Sequence, residues 1–282
     1  MSDLSHKRER LLALIRSFES CAVALSGGVD SGVVAKAAQT ALGAKALAVT
    51  GRSASLAAAE LDDARAIASA IGIRHEIVDT REFANDDYTR NAPDRCYHCK
   101  TELYTNLDAI REQFGVAVVA NGANVDDRGD YRPGADAARE HAVRSPLAEC
   151  EITKAEVRAL AAEWGLSSWD KPASPCLSSR VAYGEEVTPQ RLAMIESAET
   201  FLRTLGLREL RVRYHRGDLA RIEVPAGAIG LICEPVIRDA LVLRLRELGF
   251  KYIALDLEGF RSGNLNQVLP LATLELSAQP AR

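Results

Sequence analysis

The apolar run CAVAL (Cys21 to Leu25) leads without a break into SGGVDSG (Ser26 to Gly32) and then into a pattern of helical spacing. A buried strand that turns through glycines straight into a helix opens an α/β layer structure, and the same alternation recurs downstream. ALAVT (Ala46 to Thr50), HEIVDT (His75 to Thr80) and VAVVAN (Val116 to Asn121) read as further strands. Helical segments lie between them, the last running from near Asp94 to Gly115. Strands that are apolar almost throughout, rather than at alternate positions, are buried on both faces. The expectation is an α/β fold, a doubly wound parallel sheet over residues 1–170.

TKAE sets Thr153 as an N-cap with Glu156 three residues on, a capping box that starts another helix. Residues 171–187, rich in serine and proline, read as a junction loop and carry Cys176. Beyond them Thr188 caps a helix with Pro189 at its first position and Gly206 past its end. ELRVRYH, ARIEV, a helix around Glu234 to Leu248 and YIALDL then make a smaller α+β domain over 188–282. Its sheet is expected to be mostly antiparallel with helices on one side, and its role to be substrate binding or oligomerisation.

The chain has 282 residues, a length suited to two domains, with 47% hydrophobic and 26% charged residues, as in soluble globular proteins. No apolar run approaches the roughly 18 residues of a membrane span. The first twenty residues read as an amphipathic helix rather than a signal peptide, so the expected location is cytoplasmic, with no membrane partner. A net charge of −4 argues against a dedicated nucleic-acid binder. Six clustered cysteines point to metal or redox chemistry rather than to a disulfide framework.

SGGVDSG carries the first chemistry. Glycines let consecutive backbone N–H groups converge on an anion, and the helix that follows adds the positive end of its dipole. Ser26, Gly27, Gly28 and Ser31 supply amides and hydroxyls for phosphate oxygens. Asp30, which a bare phosphate would repel, makes sense beside Mg²⁺. The Walker pattern G-x-x-x-x-G-K-[ST] is absent. The stretch resembles instead the PP-loop signature of the ATP pyrophosphatases, which have an adenine nucleotide alpha hydrolase-like fold. That resemblance implies cleavage of ATP between its α and β phosphates. A substrate oxygen attacks the α phosphorus to give an adenylate and pyrophosphate, and a nitrogen or sulfur nucleophile then displaces AMP.

A second stretch, NGANVDDRGDYRPG (Asn121 to Gly134), follows the fourth strand at the carboxyl edge of the sheet, where ligands bind in open α/β folds. Asp126, Asp127 and Asp130 beside Arg128 and Arg132 offer metal-type oxygens and phosphate-type guanidiniums; Asp127 and Arg132 are candidates for holding ATP. In order along the chain, SGGVDS, DDRGDYRPG, SPCLSSR, LRVRYH, ARIEV and LDLEGFRSG resemble the LarE family, from about Ser20 to Asn266. The resemblance implies an ATP-dependent sulfur transferase of nickel-pincer nucleotide cofactor synthesis. Such an enzyme adenylates the carboxylates of pyridinium-3,5-biscarboxylic acid mononucleotide and converts them to thiocarboxylates. ATP, Mg²⁺, a sulfide source and a homo-oligomeric state are implied with it. By position, Ser179, Arg180, Arg211 and Arg213 would grip the substrate phosphate and the departing AMP. Asp30, Cys176, Arg211 and Arg213 would be catalytic. Alternation along RVR sets both arginines on one strand face, and arginine suits bidentate phosphate recognition. Glu199 and Glu223 read as metal-binding carboxylates or as surface charges.

In one branch of that family the cysteine matching Cys176 gives up its own sulfur and becomes dehydroalanine. Here PDRCYHCK adds Cys96 and Cys99, a C-x-x-C at a helix start. On the residues alone this pair reads as a redox dithiol, half of a zinc site, two unrelated thiols, or, with Cys176, a set of three thiolates. Three thiolates suit a 4Fe-4S cluster with one iron open to hydrosulfide. Similar spacing marks cluster-bearing PP-loop thiolation enzymes. The expectation is sulfur transfer through a 4Fe-4S cluster on Cys96, Cys99 and Cys176, while Cys21, Cys150 and Cys233 show no ligand spacing. The rivals are sacrificial donation by Cys176, a tRNA-thiolating PP-loop enzyme, an amidating synthetase with no need of Cys176, and a non-enzymatic ATP-sensing or iron-delivery protein.

Overall fold

Helix α1 (Asp3–Arg16) precedes β1 (Cys21–Ala24), α2 (Val29–Leu42), β2 (Ala46–Arg52), α3 (Ala58–Ile71) and β3 (Arg74–Asp79) in the computed structural model, which describes residues 3–127 and 133–261. After α4 (Asp86–Thr89) and the long α5 (Arg95–Phe114) comes β4 (Val118–Ala120), followed by α6 (Gly134–Glu140), α7 (Pro146–Glu149) and α8 (Lys154–Glu163). The four strands form one parallel sheet in the order β3-β2-β1-β4. All four were expected from the apolar runs, as was the parallel sense.

Strand side chains alternate between faces, and the core follows that period of two. Cys21, Val23, Ala46 and Ala48 pack on one face with Leu11 and Ile15 of α1, Val33 and Val34 of α2, Ile67 of α3 and Leu160 of α8. Ala22, Leu47, Val49 and Val119 pack on the other with Tyr104, Leu107 and Ile110 of α5. The sheet is therefore doubly wound, and burying each large aliphatic chain contributes roughly 1.5–3 kcal/mol. The capping box of α8 forms: the Thr153 side chain accepts from the Glu156 N–H, and the Glu156 side chain accepts from the Thr153 N–H.

Helix α9 (Pro189–Arg203), capped by Thr188, leads to β5 (Arg211–His215), β6 (Leu219–Glu223), α10 (Ile229–Cys233), α11 (Pro235–Glu247) and β7 (Tyr252–Leu255). These strands form a second sheet, in the order β5-β6-β7. The β5–β6 pair is an antiparallel hairpin, but β7 joins β6 in parallel, because α10 and α11 make a helical crossover between them. The sheet is therefore mixed rather than mostly antiparallel.

By backbone contacts the described chain divides into two units, residues 3–82 with 96–174, and residues 83–95 with 175–261. The second unit begins inside the segment read as a junction, and it also takes in an excursion, Phe83–Arg95, from the first half of the chain. Asn91 anchors that excursion from a left-handed backbone position (φ 57°), with no exposed surface. Its amide nitrogen donates to the carbonyls of Ala182 at 2.8 Å, Glu185 at 3.0 Å and Val181 at 3.3 Å, and its oxygen accepts from Arg95 at 2.5 Å.

Candidate active site

The strand order places the first site. The chain winds outward from β1 through β2 to β3, then returns to add β4 on the other side of β1. The carboxyl ends of β1 and β4 thus flank a topological switch point, the crevice where open α/β sheets bind ligands. SGGVDSG leaves β1 there, and the stretch from Asn121 leaves β4.

In the β1 loop, Gly28 precedes α2 in extended conformation, so the first amides of α2 lie at the loop. Ser31 in the first turn folds the loop back: its hydroxyl accepts from the Ser26 N–H at 3.1 Å and donates to the Gly28 carbonyl at 3.2 Å. The Ser26 and Ser31 hydroxyls are also 3.1 Å apart. Ser26 is exposed, whereas Ser31 is buried. Gly27 needs to be glycine twice over, since its φ is +78° and a Cβ there would lie 2.6 Å from the Glu60 carbonyl oxygen. These features suit the expected phosphate loop.

From the β4 side, Gly122 crosses so close to the loop that a Cβ would lie 2.6 Å from the Ser31 backbone nitrogen. Buried Asn124 donates to the Asp30 carboxylate at 3.0 Å. Lys154, at the first position of α8, pairs its ammonium with the other Asp30 oxygen. Its backbone N–H donates to Asp126 at 2.7 Å. Asp127, expected to hold ATP, accepts from the Asn124 N–H at 2.9 Å and so shapes the loop. Arg132, with Arg128 and Asp130, lies outside the described residues. Asn124 and Lys154 were not picked out from the sequence; Lys154 was hidden inside the TKAE capping signal. Amides at a helix start, two hydroxyls, a carboxylate and an ammonium fit a nucleoside triphosphate, and Asp30 is the residue that would hold its Mg²⁺.

The arginines of the second unit are buried rather than spread on a solvated face. Arg180 donates to Glu199 at 3.0 Å and to the carbonyls of Pro175 and Cys176, the latter at 3.0 Å. Arg213 donates to Glu223 at 2.8 and 3.0 Å and to the Ser179 carbonyl at 3.0 Å. The Ser179 hydroxyl donates to the Cys176 carbonyl at 2.7 Å. Glu199 and Glu223 are thus guanidinium counter-ions, with Arg203 adding to Glu199 and Arg221 to Glu223. Neither is a surface charge, since both are fully buried. Burial, and then the neighbouring Arg180 guanidinium, pushes Arg211 down to about 10. A guanidinium opposed by burial and like charge is one that a bound anion would stabilise.

Cys176 is half-buried at the start of the short turn Leu177–Arg180, Cys96 is exposed and Cys99 is intermediate, both on α5. Among the described residues no group of three or more His, Cys, Asp or Glu side chains is arranged to hold a metal ion. Cys96 and Cys99 belong to the first unit and Cys176 to the second. Cys21 is a core residue, as its strand position implied, and burial pushes its thiol up to about 12.

A parallel sheet that presents S-G-G-x-D-S at its switch point defines an ATP pyrophosphatase of the PP-loop class. In agreement, the family model for asparagine synthase matches residues 12–120. The chain is 48% identical over 266 residues to an uncharacterized protein of Synechocystis sp., covering 94% of this chain and 99% of that one. It is 40% identical over 276 residues to the pyridinium-3,5-bisthiocarboxylic acid mononucleotide synthase of Lactiplantibacillus plantarum, covering 97% and 99%. A tRNA-specific 2-thiouridylase of Zymomonas mobilis is 31% identical over 191 residues, 54% of this chain and 51% of that protein. The chain belongs to the LarE family, and it is an enzyme of the sulfurtransferase class. No helix among the described residues is long and apolar enough to cross a membrane.

Proposed function

We propose that this enzyme converts the carboxylates of pyridinium-3,5-biscarboxylic acid mononucleotide to thiocarboxylates at the expense of ATP. The observation that carries the reading is the 40% identity across 97% of this chain and 99% of a synthase named for the bisthiocarboxylic product. The likeness to the tRNA 2-thiouridylase covers only 54% of the chain.

For each carboxylate, an oxygen attacks the α phosphorus of ATP, the α–β phosphoanhydride breaks, and an acyl adenylate and pyrophosphate result. Hydrosulfide then attacks the acyl carbon, the C–O bond to AMP breaks, and thiocarboxylate, AMP and a proton are the products. The loop from Ser26 to Ser31 holds the phosphates, and Mg²⁺ at Asp30 would neutralise their charge. The Lys154 ammonium, held against Asp30, supplies a cation for the departing pyrophosphate. Ser179, Arg180, Arg211 and Arg213 are proposed to bind the substrate phosphate and AMP, and an anion would offset the burial and like charge that oppose the Arg211 guanidinium. The proposed enzyme works in the cytoplasm as a homo-oligomer.

The finer proposal concerns the source of sulfur. The C-x-x-C of Cys96 and Cys99, absent from the single-cysteine branch, favours catalytic sulfur transfer with a 4Fe-4S cluster on these two thiols and Cys176. Sacrifice of Cys176 is the competing reading. One anaerobic turnover experiment separates them. Catalytic transfer predicts several products per protein, iron and labile sulfide in the purified enzyme, and an unchanged protein mass. Loss of one H₂S from Cys176, with one sulfur delivered per chain, refutes it. Pyrophosphate release that does not depend on the dicarboxylate refutes the larger proposal.

A further inference from the structure

Lys171, in the segment between α8 and Cys176, is absorbed by none of the chemistry above, yet it reaches the phosphate loop. Its ammonium donates to the Gly27 carbonyl at 3.1 Å, to Glu60 at 2.7 Å and to Asp63 at 2.5 Å. The lysine is held at its backbone as well. Its N–H donates to the Ser168 carbonyl at 3.1 Å, and its own carbonyl accepts from Arg158 of α8 at 2.8 Å. Arg158 also donates to the Trp169 carbonyl at 2.7 Å, so α8 clamps this segment at two points. The side chain is only 19% exposed, and that of Glu60 only 15%.

Two consequences follow for ATP. The Gly27 peptide lies in the left-handed region with the first turns of α3 pressed against it, and its carbonyl needs a donor if the amides that follow are to face the ligand. Glu60 and Asp63 also place two carboxylates beside a loop meant for a polyanion. A single ammonium bonded to both cancels part of that repulsion, most at Glu60, because the Asp63 side chain is 50% exposed and better screened by solvent.

We propose that Lys171 is a positioning residue of the ATP site: it fixes the Gly27 carbonyl and neutralises Glu60 and Asp63, so that the phosphate loop is preset to receive ATP. The inference rests on the PP-loop reading of this site but on no particular sulfur acceptor.

The test is calorimetric titration of the full chain with Mg-ATP, alongside steady-state pyrophosphate release. Lys171→Met should weaken ATP binding and raise KM for ATP about 10- to 100-fold, the range for losing a charged hydrogen bond. At saturating ATP, kcat should change far less. Lys171→Arg should recover most of the affinity. The triple variant K171M/E60Q/D63N should recover part of it, because the repulsion is then gone. If K171M does not fold, E60Q/D63N with Lys171 intact serves alone: it should bind ATP at least as tightly as the wild type, and weaker binding overturns the proposal. Wild-type affinity in K171M, with only a lowered Tm, overturns it too. If the unmodified enzyme itself fails to bind ATP, the PP-loop reading falls instead.

Discussion

Replacing Gly122 by alanine tests the crossing of the two loops more sharply than removing any charged group. The new Cβ would stand 2.6 Å from the Ser31 nitrogen and 3.0 Å from both the Asp30 carbonyl carbon and the Ser31 Cα. All three neighbours are backbone atoms, so no side chain can rotate away. Relief to an ordinary contact of 3.4 Å requires a shift of about 0.8 Å. Taken up along the Asn124–Asp30 bond, that shift would lengthen it from 3.0 to about 3.8 Å, beyond hydrogen-bonding range. Overpacking of this kind costs about 1–3 kcal/mol of stability. Misplacing a catalytic group by about 1 Å costs on the order of a hundredfold in rate. Gly122→Ala should therefore fold with a modestly lower urea midpoint and lose at least about tenfold in kcat/KM for ATP, read by pyrophosphate release. An alanine variant with undiminished kcat/KM would show that the Asn121–Asp127 segment does not shape the ATP site.

Asn91→Ala should cost about 3–5 kcal/mol in chemical denaturation, because three carbonyls lose a donor, Arg95 loses one of its acceptors and alanine resists a positive φ; a loss below about 1 kcal/mol contradicts the anchoring role. In the native protein a maleimide should label the exposed Cys233 quickly and buried Cys21, its thiol pushed up to about 12, only after unfolding. Equally fast labelling of Cys21 contradicts its place in the core. His75 and His215 are both held neutral, chiefly by burial, and then by Arg65 for His75 and Arg221 for His215. The unfolded chain therefore takes up protons first as pH falls through about 6.5, and stability should decline below that pH and be restored above it. A urea midpoint that stays level from pH about 7 to about 5 argues against neutral, half-buried histidines.

The strand–helix alternation of the first unit was legible because its strands are apolar on both faces and its helices carry their caps in the sequence. The SGGVDSG loop was legible for the same local reason, since its glycines and hydroxyls act on neighbouring backbone. Lys154 and Lys171 were not, because each is 124 or more residues from a partner in the loop and nothing local marks a lysine as turned inward. Burial of Arg211 and Arg213 escaped the reading of a strand face, because alternation identifies the side they share but not what covers it. The carboxylates that pair with buried Arg180 and Arg213, Glu199 and Glu223, come from α9 and β6 and meet these arginines only in the folded unit. The excursion of residues 83–95 into the second unit was hidden for a related reason. Its anchors, Tyr88, Asn91 and Arg95, find their partners some eighty to ninety residues downstream.

Sulfur must reach a carboxylate of the nucleotide, and mass spectrometry of the nucleotide itself measures that directly. Incubated without oxygen with Mg-ATP, sulfide and pyridinium-3,5-biscarboxylic acid mononucleotide, the enzyme should yield species in which one and then two oxygens are replaced by sulfur. AMP and pyrophosphate should form in step with each replacement. A nucleotide recovered with all its oxygens while ATP is cleaved would contradict the account.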